Sequence, residues 1–572
     1  MSAHHRDCIA KQEERQAKIN SLPSNYFSDC TEDDRKLLDL SLTQLVSQNK
    51  AGSITPSQIL QAYGKKVVLA QKATNCLTTV MIQEAISNNV EKPSRASTPE
   101  RSYTGPAKGI LPLAGVPVSL KDCIDIEGYD TTLGFSSRAN HPVTTSSAIV
   151  RLLRDAGALM HVKTTTPTGV LGLDTSSDLF GRTTNPYNDK YVAGASTGGG
   201  GALLAYGGSV IEIGTDIGGS VRMPAHFCGV YGMKASFGRF PNFGTVPPLP
   251  GLEGVPTTCS PMSRRLDDLE EFWKRVIGMQ PWEYDHSCVP IPWRAIDLHG
   301  RKLRWGIVWD DGIISPSPAC RRALEWVSDA LVKQGHEVVD FVAPDIPYGL
   351  NVGFQLAFAE GGTQVFGAVR RTEKLDPVML GIKTLLGLPL LVKKFLASLT
   401  RRFSNDEVWA SMLENLHKKS ALEERALVVA RDDYRAKWHE AWDAEGLDFV
   451  LTVPHSLPAI PNGSAEKVSL VSASYMMLFN ILDYAAGVLP VSFVDKTTDS
   501  LPSDFTSSAE YKQMGAIAKG AYSVYDADAM HGLPVGIQVV GRRFEEEKVL
   551  KGMKVIEEAL GECGRKFIPK EF

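Results

Sequence analysis

Residues 193–234 read A-G-A-S-T-G-G-G-G-A-L-L-A-Y-G-G-S-V-I-E-I-G-T-D-I-G-G-S-V-R-M-P-A-H-F-C-G-V-Y-G-M-K. Glycine dominates both ends, and two serines, Ser196 and Ser220, stand inside the glycine clusters. A short apolar helix is expected over Ala202–Tyr206, and a strand over Val210–Ile213 leads into the second cluster. Glycine lets the backbone adopt positive φ and lets another group come close to the main chain. Ser220 follows Asp216-Ile217-Gly218-Gly219, so several backbone N–H groups can converge beside its hydroxyl. That arrangement suits an activated nucleophile next to an oxyanion hole. A pair of glycine-rich turns with no chemistry is the plain alternative.

Upstream, Gly115-Val116-Pro117-Val118-Ser119-Leu120 reads as a strand ending on Lys121-Asp122. Ser147–Ala156 reads as a helix stopped by Gly157, and Ala158–Lys163 as the next strand. This alternation argues for a largely parallel sheet in an α/β protein. Downstream strands are expected at Leu303–Trp309, Val338–Val342, Leu447–Val453, Gly487–Val494 and Leu533–Val540. Ser317–Gln334 and Glu545–Leu560 are amphipathic helices.

Residues 1–100 read as a peripheral helical region packed on the core, with 101–572 as the main domain. Its helices are His5–Ile19, Thr31–Ser47 and Thr55–Ala70, the last with Thr55-Pro56 as cap and first position. Glu91–Pro106 is polar and reads as a surface loop. A helical insertion is expected at about 345–445. Within it, Asp376–Phe403 is apolar but broken by Gly381, Gly387 and Pro389, and Lys393, Lys394, Arg401 and Arg402 cluster at its end. Asn405–Asp443 reads as one long polar helix.

Composition narrows the function. Hydrophobic residues make up 43% and charged residues 22% of 572, ordinary for a globular chain. A net charge of −4 gives no electrostatic reason for a nucleic-acid partner. The nine cysteines are odd in number and form no C-x-x-C pair, so neither a disulfide framework nor a thiolate metal site is expected. A reducing, cytoplasmic compartment is the simpler inference. The histidines lack ligand spacing, so no metal is expected. Met1–Asn20 is charged, unlike a signal peptide. No uncharged apolar run of about 18 residues suggests a membrane span.

Three constellations compete for the chemistry. One joins Lys121, Ser196 and Ser220 in a Ser–Ser–Lys hydrolase. Lys121 is read either as a charge reaching solvent or as a base whose pKa burial lowers. The second takes Gly194-Ala195-Ser196-Thr197-Gly198 as G-x-S-x-G, with Asp526 and His531 as partners. The residues before Gly194 read as a loop, whereas that motif needs a strand. The third, a phosphate-cradling glycine loop, lacks both phosphate-binding patterns.

The first constellation resembles the amidase signature family. Lys121 in V-S-L-K-D, Ser196 in A-S-T-G-G and Ser220 in D-I-G-G-S-V-R-M-P match that family's Lys, bridging Ser and nucleophilic Ser. Leu179–Pro186 and Gly532–Gln538 also look like family segments. The resemblance runs from about Thr31 to the C-terminus. It is strongest to fungal acetamidase-like and general amidases, with fatty-acid amide hydrolase more distant. Here the usual G-G-S-S-G-G is G-A-S-T-G-G, so Ala195 and Thr197 depart from the pattern. A cis peptide is implied at Ala195–Ser196.

The resemblance implies a single large α/β/α domain, a twisted mixed sheet covered by helices on both faces. It implies hydrolysis of a small or hydrophobic carboxylic amide through an acyl-enzyme, without cofactor. Ile217, Gly218, Gly219 and Ser220 would supply the oxyanion hole, and Asp216 and Arg222 would support the loop. Val170, Leu171, Gly172, Leu173 and Thr197 would meet the substrate. Residues 376–403 are expected either as short helices packed on the core or as a mobile cap over the acyl pocket that touches a membrane or a partner through its apolar face. A homodimer is left open. The alternatives within the family are an acyl transferase or amide-forming enzyme, and a glutaminase subunit of an amidotransferase complex.

Overall fold

Every residue of Pro117–Lys121, Ile211–Asp216 and Pro534–Gly541 is buried. Strands covered on both faces require this. The computed structural model describes residues 2–90, 111–404 and 406–572. The Glu91–Pro106 loop expectation lies outside the described residues.

In chain order the strands are β1 Leu77–Val80, β2 Pro117–Lys121, β3 Leu159–Thr164, β4 Ser176–Ser177, β5 Gly181–Arg182, β6 Ile211–Asp216 and β7 Tyr231–Lys234. They continue as β8 Thr258–Ser263, β9 Arg304–Ile307, β10 Glu337–Asp340, β11 Phe449–Thr452, β12 Ala485–Phe493 and β13 Pro534–Gly541. β4 and β5 pair by themselves. The other strands form an 11-stranded sheet ordered β1-β3-β2-β6-β8-β7-β12-β13-β11-β9-β10.

The α/β class and the mixed sheet match the expectation from resemblance. The largely parallel sheet read from strand–helix alternation does not hold. Among the described residues only β3-β2-β6 and β11-β9-β10 run parallel. The centre, from β6 through β8, β7, β12 and β13 to β11, is antiparallel. Two of its strands escape a propensity reading, because β7 carries Gly232 and β8 carries Pro261, both poor strand formers.

The N-terminal residues are not purely helical. Leu77-Thr78-Thr79-Val80 pairs antiparallel with β3 as an outer strand of the sheet. Four residues are too few to show a period. The helix Ala3–Asn20 lies beside it, with Arg15 Nη1 donating to the Leu77 carbonyl at 2.8 Å. Thr31–Ser47 is two helices, Glu32–Leu38 and Leu42–Lys50. Ser41 starts the second with its own capping box to Gln44. Thr55 caps Pro56–Thr74 as expected.

The apolar helix after Ser196 starts earlier than expected, spanning Gly198–Ala205. Glycine disfavours a helix, but all eight residues are buried, so packing overrides propensity. β6 likewise runs on past Ile213 to Asp216.

Between β10 and β11 lie helices Ile346–Ala357, Thr363–Gly367, Pro377–Gly387, Leu390–Ser404, Glu407–Asn415 and Ala421–Ala444. The long polar helix expected over 405–443 is therefore split, and Ser420 caps the second half through Glu423. Ile346–Ala357 packs on the helix Ser474–Ile481: a Cβ at Gly353 would lie 2.3 Å from Ile481 Cδ1. No helix among the described residues is long and apolar enough to cross a membrane.

Ser41→Ala removes one side of a capping box and should cost about 1 kcal/mol. The measurement is the urea midpoint at unchanged slope, with the exposed Ser53→Ala as control, expected within about 0.5 kcal/mol of wild type.

Candidate active site

Lys121 is the last residue of β2, and its side chain is fully buried. The strand end is pinned by its neighbour. Asp122 pairs with the buried Lys163 at 3.0 Å and accepts from the Thr132 hydroxyl. Lys121 Nζ lies 2.6 Å from Ser196 Oγ, 3.0 Å from Thr215 Oγ1 and 3.3 Å from the Thr215 carbonyl. Burial lowers its pKa from the ordinary 10.5 against the attraction of nearby acids. Among the described residues no carboxylate forms an ion pair with it. A buried amine with a hydroxyl at hydrogen-bond distance is suited to take that hydroxyl's proton.

Ser196 follows a cis Ala195–Ser196 peptide, as the resemblance implied. Thr197 N–H then donates to the Ser220 carbonyl at 3.1 Å, which ties the two serine loops together. The Thr197 side chain is enclosed against Gly214, where a Cβ would come within 2.8 Å of its Oγ1. Ser220 is half-buried, and its hydroxyl makes no hydrogen bond to a described residue.

Ser220 sits in the turn between β6 and the helix Arg222–Cys228. A buried ion pair shapes that turn. Asp216 accepts from Arg222 Nη2 at 2.8 Å and Nε at 3.1 Å. Burial alone would raise the Asp216 carboxyl, but Arg222, helped by Asn480, holds it well below the usual carboxylate range. Arg222 also donates to the Met476 carbonyl and to Gln538 Oε1, each at 2.8 Å, and to Asn480 Oδ1 at 2.5 Å. Asp216 and Arg222, the pair expected to support the loop, meet each other and their neighbours in these contacts. Thr215, Met476 and Asn480 carried no signal in the sequence. Gln538 stood in one of the family-like segments.

The Asp216 carboxylate sorts the amides of the turn. It accepts from Gly219 N at 2.9 Å and Val221 N at 3.1 Å. The N–H groups of Ile217, Gly218 and Ser220 make no hydrogen bond among the described residues. These three residues are half-buried, whereas Gly219 is buried. Of the four amides expected to face an oxyanion, that of Gly219 already donates to Asp216, and the other three are unengaged among the described residues. Gly219 has φ +115°, and a Cβ there would lie 2.6 Å from Met476 Sδ. Only glycine fits that position.

Val170, Leu171 and Leu173 are buried. Gly172 faces the insertion, where a Cβ would meet Asp376 Cγ at 3.5 Å. Asp376 caps the helix Pro377–Gly387 through Val378 N. The loop named for the acyl pocket is thus in contact with the 376–403 segment. The partners required by the G-x-S-x-G alternative are elsewhere. Asp526 lines a surface cleft with Ser464 and Lys467, and His531 Nδ1 bonds to the Val494 carbonyl. Among the described residues no group of three or more His, Cys, Asp or Glu side chains is arranged to hold a metal ion.

A family model described as Amidase matches residues 58–550. An acetamidase of Emericella nidulans is 29% identical over 98% of this chain and 98% of its own length. Fatty acid amide hydrolase 1 of Caenorhabditis elegans is 32% identical over 91% of this chain and 88% of its own. A solved structure of fatty acid amide hydrolase superposes with a TM-score of 0.82 at 26% identity, covering 97% of this chain and 95% of that one.

Arg222→Met would leave Asp216 buried without its counter-charge and should cost about 3–5 kcal/mol at pH 7. In the intact protein Asp216 adds stability above pH 3.8 that is lost as pH falls through its lower folded value. In the variant the deficit should shrink toward pH 4, because protonation removes the unpaired charge. Thermal melting of both proteins from pH 4 to 8 checks this. A deficit independent of pH would contradict it.

Proposed function

The chain belongs to the Amidase family and is an amide-hydrolysing enzyme, and we propose that it works through Ser220, Ser196 and Lys121 on a small or hydrophobic carboxylic amide. The observation that carries this reading is the 2.6 Å contact between the buried, pKa-lowered Lys121 amine and Ser196 Oγ.

In this reading Ser220 Oγ attacks the amide carbonyl. Its proton passes to Ser196, and the Ser196 proton passes to Lys121 Nζ. The free amides of Ile217, Gly218 and Ser220 face the oxygen that gains charge. The space in front of Gly218 is open, its nearest neighbour being Met477 Cγ at 4.0 Å from a Cβ position. Collapse returns the proton through Ser196 to the leaving nitrogen, and water hydrolyses the remaining ester. The apolar side chains of Val170, Leu171 and Leu173 favour an apolar acyl or aryl group.

We extend the proposal to the insertion as a cap that rests on a lipid surface. Leu391, Phe395 and Phe403 are 83%, 62% and 77% exposed on the helix Leu390–Ser404. Exposed Lys383, Lys394 and Arg402 flank them, suiting anionic headgroups.

Ser220→Ala should abolish labelling by a fluorophosphonate, which in the intact protein should fall on Ser220. Labelling of Ser196 with Ser220 untouched would revive the alternative motif. Lys121→Ala should lower kcat roughly a hundredfold to ten-thousandfold. Wild-type activity should rise with pH through a Lys121 pKa below 10.5. The sign for stability is the same. The unfolded chain holds the extra proton between the folded pKa and 10.5, so stability also rises with pH there. Near-full activity in Lys121→Ala would sink the mechanism.

The double variant Leu391→Ser/Phe395→Ser should lose sedimentation with anionic phospholipid vesicles while its melting stays within about 0.5 kcal/mol of wild type. Unchanged sedimentation would exclude lipid contact, and a large loss of stability would mark the segment as core.

A further inference from the structure

Glu212 stands inside an apolar strand, Val210-Ile211-Glu212-Ile213, and is fully buried. One carboxylate oxygen accepts from Thr164 Oγ1 at 2.6 Å. The other, Oε2, has no hydrogen-bond partner among the described residues. A buried carboxyl with half its capacity unused is costly unless a nearby group answers its charge.

Strand register identifies that group. β2 lies between β3 and β6. Glu212 on β6 is opposite Ser119 on β2, and Lys121 on β2 is opposite Thr164 on β3. Ser119 and Lys121 are two residues apart, so all four side chains belong to one face. The Thr164–Glu212 hydrogen bond therefore bridges over β2 on the Lys121 face. Ser119 lies beside the carboxyl and helps to hold its pKa down, while its hydroxyl also reaches the Ile211 carbonyl at 3.2 Å. The helix Gly198–Ala205 closes this face from above and brings no titratable group. A Cβ on Gly200 would lie 2.4 Å from Glu212 Cδ, so the helix fits only around the carboxyl as it stands.

The charged and titratable groups around Lys121 are Cys123, Asp216, Glu212 and Cys259. Around Glu212 they are Lys121 and the thiol of Cys76. Burial raises the three thiols, which keeps them neutral. Asp216 is committed to Arg222. Glu212 is the one acid of this set without a committed cation.

We propose that Glu212 is a positioning residue for the Lys121 base, its carboxylate balancing the ammonium that Lys121 becomes on taking the Ser196 proton. This rests on the Ser220–Ser196–Lys121 reading. As Ser220 Oγ bonds to the carbonyl carbon, the carbonyl electron pair moves onto oxygen. Two protons shift by one place, from Ser220 to Ser196 and from Ser196 to Nζ. A cation then exists in a fully buried site, and Glu212 offsets it until the proton returns to the leaving amine. Burial pushes the Glu212 carboxyl up to about 7, against the pull of its hydrogen bonds and Lys121, so the anion is present from neutral pH upward.

The test is the rate at which a fluorophosphonate labels Ser220 as a function of pH, with thermal melting recorded for each protein. Glu212→Gln should label at least roughly tenfold more slowly at its optimum. Its acid limb should move down by roughly one pH unit, because Lys121 loses the anion that favours its protonated form. Gly200→Ala displaces the carboxyl without removing it and should move the limb the same way by less. A folded Glu212→Gln with the wild-type acid limb overturns the proposal. If Glu212→Gln does not fold, an unmoved limb in Gly200→Ala overturns it. Wild-type protein that is not labelled at Ser220 would instead remove the underlying Ser220 reading.

Discussion

The ion pair between Asp216 and Arg222 is the constraint on which the site depends. It joins the end of β6 to the start of the next helix, and the intervening residues must fold back within its span. The carboxylate draws in the Gly219 and Val221 amides, and in doing so it determines which amides of the turn remain for a ligand. The guanidinium reaches outward to Met476, Asn480 and Gln538, so residues far apart in the chain fix one short loop. Neither partner touches the reacting atoms in the proposed mechanism. Their effect is on shape, and a buried pair of this kind has conformational specificity as its best-attested use.

Burial acts on several lysines of this fold, with different results. Lys163 is answered by Asp122 and Lys65 by Asp34, each as a short ion pair. Lys234 has no such partner among the described residues, and burial brings it down to about 8. Its amine donates to the Tyr484 and Ala235 carbonyls, which can accept but never give a proton. Lys121 combines the missing ion pair with hydroxyl neighbours, Ser196 and Thr215. A lowered pKa is common to Lys121 and Lys234, and the hydroxyls alone make one of them a candidate base.

The parts of this architecture legible in the sequence are those carried by local chemistry. Thr55-Pro56 and Gly157 mark helix ends through a cap and a positive φ, and the structure has them there. The D-I-G-G-S turn and the Lys at a strand end are readable for the same reason. What escaped depends on contacts between distant segments. β7 and β8 are strands because their neighbours pair with them, despite Gly232 and Pro261. The Gly219 amide is taken up by a carboxylate that folds under the turn, a contact invisible in a run of glycines. Glu212 did leave a mark, a charge inside V-I-E-I. Its meaning needed the register of β2, β3 and β6.

The position of β1 reaches beyond topology. By pairing with β3, it occupies backbone N–H and C=O groups that would otherwise form a bare sheet edge next to the strand carrying Lys121. Such edges template association between chains. At the opposite end of the sheet β10 ends the order, with half-buried Glu337 and exposed Asp340 at its two termini, a charged margin that discourages pairing. The N-terminal residues therefore serve as a built-in guard strand. Cutting them away to isolate a smaller catalytic body would trade a protected margin for an adhesive one, however intact the serines and the lysine remained.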